Sequence, residues 1–233
     1  MATGKTRRRT PQRKTAGARG DLPPAAELKR TVVIENVSPT VDGGRYPVKR
    51  EVGAVLEVSA DIFKEGHDVL VAFLLYRRLD EQAWREVPMR HVDNDRWAGA
   101  FTLAQNARYL YALEALADPF RSWLVDLGKR VDAQQDVASE LQEGLELVRA
   151  AARRVRGESR AALEGYVRRL EQAPAQPDAV AVARDPGLLP LMDAALDRSA
   201  ATRRATAEAT EQVLESIALA FERQKPYLVE HWR

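Results

Sequence analysis

Apolar positions recur every second residue from about residue 31 to 120 and every third or fourth residue thereafter, so the chain divides into two kinds of structure. In the first part Leu56, Val58, Ala60 and Ile62 alternate with Glu57, Ser59 and Asp61, which sets one face of a strand in a core and the other in water. Thr31 to Ile34 is a β-branched run suited to a pleated surface, and Val69 to Tyr76 is an unbroken apolar run short enough to be a strand covered on both faces. Trp97, Gly99, Phe101 and Leu103 form another inward set, and Tyr109, Tyr111, Leu113 and Ala115 a further one. Reversals fall between them at Ser38-Pro39, Asp42-Gly43-Gly44, Glu65-Gly66-His67-Asp68 and Asp93-Asn94-Asp95. Six or seven short strands at this spacing predict an antiparallel β-sandwich of about 90 residues.

Near Asp118-Pro119 the period changes to about 3.6, and helices follow. Val137, Leu141, Leu145, Val148, Ala152 and Val155 place one stripe of a long helix against a partner, with Glu140, Glu143, Arg149 and Arg153 opposite. Gly157 interrupts it, and a second helix runs from Ser159 to Glu171 on Leu163, Val167 and Leu170. Two prolines between Ala173 and Asp178 are expected to keep that connection out of a helix. Asp185-Pro186 reads as a cap and first position of a short helix through Leu196, and a last helix is expected from about Ser199 to Gln224 with Val213, Ile217, Ala220 and Phe221 inward. Amphipathic helices on short connections predict an antiparallel bundle. The fold class is therefore α+β with segregated domains: a basic tail over 1–30, a β-sandwich over 31–120, a helical bundle over 121–226 and a C-terminal tail over 227–233.

Charge is uneven. The net charge is +2, yet the first twenty residues hold Lys5, Arg7, Arg8, Arg9, Arg13, Lys14 and Arg19 and no acid, so the remainder carries −5. A tail of this kind can attract nucleic acid or anionic lipid by Coulomb forces alone, but it has no aromatic residue to stack on bases. Its composition is that of a leader too polar to order itself, so nucleic-acid binding is the least favoured reading. Zero cysteines exclude disulfides and thiolate metal sites and fit a reducing cytoplasm. No apolar run reaches the length of a membrane span, so no membrane partner is expected.

Few residues carry candidate chemistry. His67, His91 and His231 are far apart and lack the spacing of a helical metal site, no glycine-flanked serine elbow accompanies them, and Gly43-Gly44 lacks the rest of a phosphate loop. No catalytic residue, metal or cofactor is assigned. Trp84 and Trp123 are the candidate carbohydrate contacts, since Trp97, Tyr109 and Tyr111 fall at inward positions where packing claims them. Arg45, Lys49 and Arg50 are the candidate contacts for an anion or a neighbouring subunit.

The segment Asn36 to Gly53, NVSPTVDGGRYPVKREVG, resembles the opening of the α-1,4-glucan:maltose-1-phosphate maltosyltransferases of the α-amylase clan. Trp84-Arg85-Glu86-Val87-Pro88-Met89 resembles that family's WREVPM block, and Asn94-Asp95-Arg96-Trp97 with Gly99 and Phe101 resembles its hairpin. Asp118-Pro119-Phe120 and Gln135-Asp136-Val137 extend the similarity, while Ala107, Leu110 and Leu116 depart from its usual Gly, Glu and Trp. The resemblance implies an immunoglobulin-like domain and a helical partner that contribute to a homodimer. It also implies that the family's Asp nucleophile and Glu acid/base lie in a downstream (β/α)₈ barrel, which needs about 250 residues and is more than this chain holds. The expectation is a non-catalytic scaffold or dimerisation region of an enzyme that extends α-glucans from α-maltose 1-phosphate, with a fragment, a truncated gene and a free-standing relative all open as its origin. A glucan-binding accessory module and a basic-tailed nucleic-acid binder are the rival readings.

Overall fold

The computed structural model describes residues 32–41, 46–205 and 228–231. Among the described residues, eight strands precede the first helix: β1 (Val33–Ser38), β2 (Val48–Arg50), β3 (Val55–Phe63), β4 (Leu70–Arg78), β5 (Arg85–Pro88), β6 (Arg90–Asp93), β7 (Arg96–Thr102) and β8 (Tyr109–Ala117). Five helices follow: α1 (Pro119–Asp132), α2 (Ala138–Arg154), α3 (Gly157–Glu171), α4 (Gln176–Ala183) and α5 (Leu188–Ala194). Two further strands, β9 (Thr202–Ala205) and β10 (Leu228–His231), complete the described elements. The architecture is α+β.

The strands form two sheets. The first has the order β1-β3-β7-β6. The second has the order β2-β10-β8-β4-β5, with β9 also on β8. Pairing is antiparallel throughout except between β10 and β2. The two-residue period decides which side chains meet: Leu56, Val58, Ala60 and Ile62 of β3 are buried in one cluster with Ala72 and Leu74 of β4 and Tyr109, Tyr111, Leu113 and Ala115 of β8. Residues of both sheets thus share a core, and Trp97 packs against its edge. Tyr111 is fully buried, and its hydroxyl satisfies itself by donating to the Pro39 carbonyl at 2.7 Å. The tight turn between β6 and β7 places Asn94 at φ 46°, a conformation that asparagine tolerates better than most residues.

A second apolar cluster joins the helices through Phe120, Trp123, Leu127, Val148, Ala151 and Leu163 among others. Asp118 ends β8's run and caps α1, its carboxylate accepting from Arg121 N at 3.0 Å, with Pro119 in the first turn where its missing N–H costs nothing. The Asp118 N–H donates to Val69 O at 2.8 Å and the Ser122 hydroxyl accepts from Val69 N at 2.8 Å, so the start of α1 is bonded to the residue before β4.

Four expectations fail in detail. The Pro-rich connection is not wholly irregular: α4 starts at Gln176 with Pro177 in its first turn, the one helical place where proline fits. Asp185 does not cap the next helix directly; Gly187 holds that position and donates its N–H to Asp185 Oδ1 at 2.9 Å. The helix expected from Ser199 is replaced at Thr202–Ala205 by β9, whose residues pair with Ala112 to Ala115, and the rest of that expected helix lies outside the described residues. Residues 228–231, set apart in sequence as tail, form β10. The basic segment 1–30 also lies outside the described residues.

Candidate functional site

The aromatic candidates occupy different surroundings. Trp84, in the connection from β4 to β5, is half-buried, and the Arg77 guanidinium stacks on its ring at 4.9 Å. Arg77 is itself 5% exposed and donates from Nη1 to the Glu81 carbonyl, while its Nε has no hydrogen-bond partner. Burial pushes its pKa down from the usual arginine value. Trp123 is 5% exposed, with Nε1 donating to Glu140 O at 2.6 Å. Its ring belongs to the helical core.

Of the basic candidates, Lys49 and Arg50 are exposed on β2, and Arg50 Nη1 donates to Lys49 O at 2.8 Å. Arg45 lies outside the described residues. The structure does not assemble Trp84, Trp123, Lys49 and Arg50 into one site, since they belong to three separate elements or connections. Around the β2 segment several large apolar side chains remain at the surface: Val41, Tyr46, Val52 and Val55, the last 63% exposed.

Several carboxylates are engaged by arginines. Asp61 accepts from Arg96 at 2.9 Å and Asn36 at 2.7 Å, bonds that hold its pKa below the usual range. Glu81 accepts from both terminal nitrogens of Arg85 at 2.8 and 2.7 Å and from Arg78 N at 3.0 Å, which lowers it from 4.5 to about 2. Asp185 accepts from Gly187 N and Arg169 and is likewise lowered.

One cluster escaped the sequence reading. Glu114, on β8, is 2% exposed and faces away from the shared core. Arg203 Nε donates to it from β9, directly across the strand pair, and Arg198 Nη1 lies 3.4 Å away. Arg198 also grips Glu86 of β5 through Nη1 and Nη2 at 2.7 and 3.1 Å, and its guanidinium sits 3.9 Å from the centre of the Phe73 ring. These bonds raise the Arg198 pKa, the Glu86 hydrogen bond most of all. The available signal was a lone acid inside the apolar run Tyr109 to Ala117.

An open cleft of about 570 Å³ lies along α2, the end of α3 and α4, lined by Leu141, Leu145, Leu170 and Pro174, with Arg149 and Gln176 also on its wall. Arg149 is bound by Glu146 and Glu171. Among the described residues there is no group of three metal-ligating side chains and no helix long and apolar enough to cross a membrane.

A family model for α-1,4-glucan:maltose-1-phosphate maltosyltransferase, domain N/S, matches residues 30–211. The chain belongs to this maltosyltransferase domain N/S family. The maltosyltransferase of Myxococcus xanthus is 47% identical over 182 residues, which are 74% of this chain and 27% of that protein. The maltosyltransferase of Chlorobaculum tepidum is 41% identical over 174 residues, or 75% and 26% of the two chains. That of Salinibacter ruber is 34% identical over 148 residues. The chain therefore spans about a quarter of the curated relatives it matches, and the part it matches is their domain N/S region.

Proposed function

We propose that the chain is a supporting region of a maltosyltransferase, an immunoglobulin-like sandwich joined to a helical bundle that performs no glycosyl transfer and serves to assemble two copies. The observation that carries this reading is the match of residues 30–211 to domain N/S, together with coverage of only about a quarter of the relatives' length. Four described carboxylates support it. Retaining glycosyl transfer needs one carboxylate free to attack and a second to shuttle the proton, about 5 Å apart. Glu86 and Glu114 share Arg198, but Arg203 and Arg198 neutralise them, and Asp61 and Glu81 are similarly bound.

The copies meet, in this proposal, around Val41 and residues 46–55. Val41, Tyr46, Val52 and Val55 supply exposed apolar area, and Lys49 and Arg50 supply charge at its rim. The setting is the cytoplasm, consistent with a chain that has no cysteine. Two measurements test the proposal. Light scattering should give a dimer that Val55→Asp weakens, and a monomer at high concentration would rule out the assembly role. Phosphate release from maltose 1-phosphate with glycogen present should not rise above the buffer rate; turnover by this chain alone would overturn the non-catalytic reading.

A further inference from the structure

Arg85 over Tyr76 and Arg169 over Tyr166 each pair a ring contact with one carboxylate, whereas Arg198 combines a ring with two carboxylates from different strands. A guanidinium has a flat apolar face and an edge of five fixed donors, so a receptor for it needs an aromatic ring beneath the plane and carboxylates around the rim. Phe73 lies 3.9 Å beneath Arg198, and Glu86 takes two of its nitrogens at 2.7 and 3.1 Å. Glu114 approaches at 3.4 Å and is 2% exposed.

The receptor is built by strand register. Phe73 of β4 stands directly opposite Glu114 of β8, and Glu86 of β5 stands opposite Leu75, two residues along β4 from Phe73. Opposed residues share a face of the sheet, and so do alternate ones, which puts the ring and both carboxylates on one side. That side is the one turned away from the shared core, since Phe73 and Glu114 alternate with the core residues Leu74 and Leu113.

We propose that Phe73, Glu86 and Glu114 form a guanidinium-recognition site, and that its occupation by Arg198 fastens the segment Asp197–Ala205 to the second sheet. Among the described residues, the segment is otherwise held by the pairing of β9 with β8 and by its approach to β1. β9 contributes four paired residues, Arg203 and Arg204 are exposed, and Thr202 is half-buried, so apolar burial adds little. Without Arg198 and Arg203 the site would hold two carboxylates and no cation, and a carboxylate buried as deeply as Glu114 is costly unpaired. Because Arg198 lies in the short connection after α5, filling the site also ties the helical part to β5 and β8.

The test is hydrogen exchange on the whole chain with chemical rescue. In Arg198→Ala, amide protection across residues 202–205 should fall about tenfold or more while the β3 amides from Leu56 to Ile62 keep theirs. Millimolar ethylguanidinium should restore protection in that variant, and ethylammonium at the same concentration should not. Unchanged protection, or equal rescue by both cations, would overturn the proposal. Should Arg198→Ala lose protection in β3 as well, Glu86→Gln serves in its place: exposed enough to fold, it should loosen residues 202–205 alone. Protection there equal to that of the unaltered chain would count against the site.

Discussion

A methyl group placed on Gly144 of α2 would fall 2.0 Å from Cζ2 of Trp123 on α1, because the indole packs against the helix at the one position that has no side chain. The ring cannot slide away, since its N–H is held by the carbonyl of Glu140 one turn earlier on the same helix. Alanine in a helix interior is normally better than glycine by about 1 kcal/mol. Here overpacking outweighs that gain: Gly144→Ala should destabilise the chain by about 1–3 kcal/mol in urea unfolding followed by tryptophan emission. A neutral or stabilising result would mean that α1 and α2 can separate without cost.

Asp118 should behave as a helix cap that is also a hinge pin between the sheet and α1. Its carboxylate accepts from Arg121 N and pairs with Arg121 Nε at 3.1 Å, and the residue is 4% exposed. Asp118→Ala should cost about 0.5–2 kcal/mol, whereas Asp118→Asn, which retains an accepting oxygen, should cost less. Thermal unfolding of the two variants side by side checks the order.

Acid should act on the β4–β5 hairpin through Glu81. Its folded pKa is depressed from 4.5 to about 2, chiefly by Arg85, so its contribution to stability is full above pH 4.5 and is lost as pH falls towards 2. Urea unfolding should find the unaltered chain slightly more stable than Glu81→Gln near neutrality, with the gap closing over that window. Solvent screens this exposed pair, so the gap is small at any pH. A gap that stays constant down to pH 2 would refute the assignment.

Trp84 and Trp123 should separate in a glycogen affinity gel. Trp84 has surface to offer a sugar ring, with Arg77 behind it, and Trp123 does not. If the chain is retarded by glycogen, Trp84→Ala should abolish the retardation and Trp123→Phe should leave it intact. Identical mobility with and without glycogen would dismiss glucan binding.

The strands and long helices were legible in the sequence because one face of each meets a core. β3 and α2 are the clearest, their buried residues falling at the positions that alternation and the three-four period select. β8 was legible only by half. Its other face is covered too, so every residue from Tyr109 to Leu116 is buried and the strand shows no polar alternation except Glu114. α4 was hidden because Pro177 breaks a helix anywhere but its first turn. β9 was hidden because Thr202-Arg203-Arg204-Ala205 has no apolar pattern; it pairs with β8 and with the Glu114 carboxylate 89 positions earlier, and no local period encodes such long-range pairing. Trp123 was offered as a sugar contact on composition, and only three-dimensional packing tells that its ring lies in the helical core.

The occupied flank of β8 bears on how the protein can be handled. β4 covers one side of that strand along its whole length, and β9 with β10 covers most of the other. A chain cut back to Ala201 would expose the backbone of an apolar strand as an open template, inviting edge-to-edge stacking of neighbouring molecules. Loss of solubility is therefore the expected penalty of shortening this region before Thr202, even though both hydrophobic clusters would keep every described member.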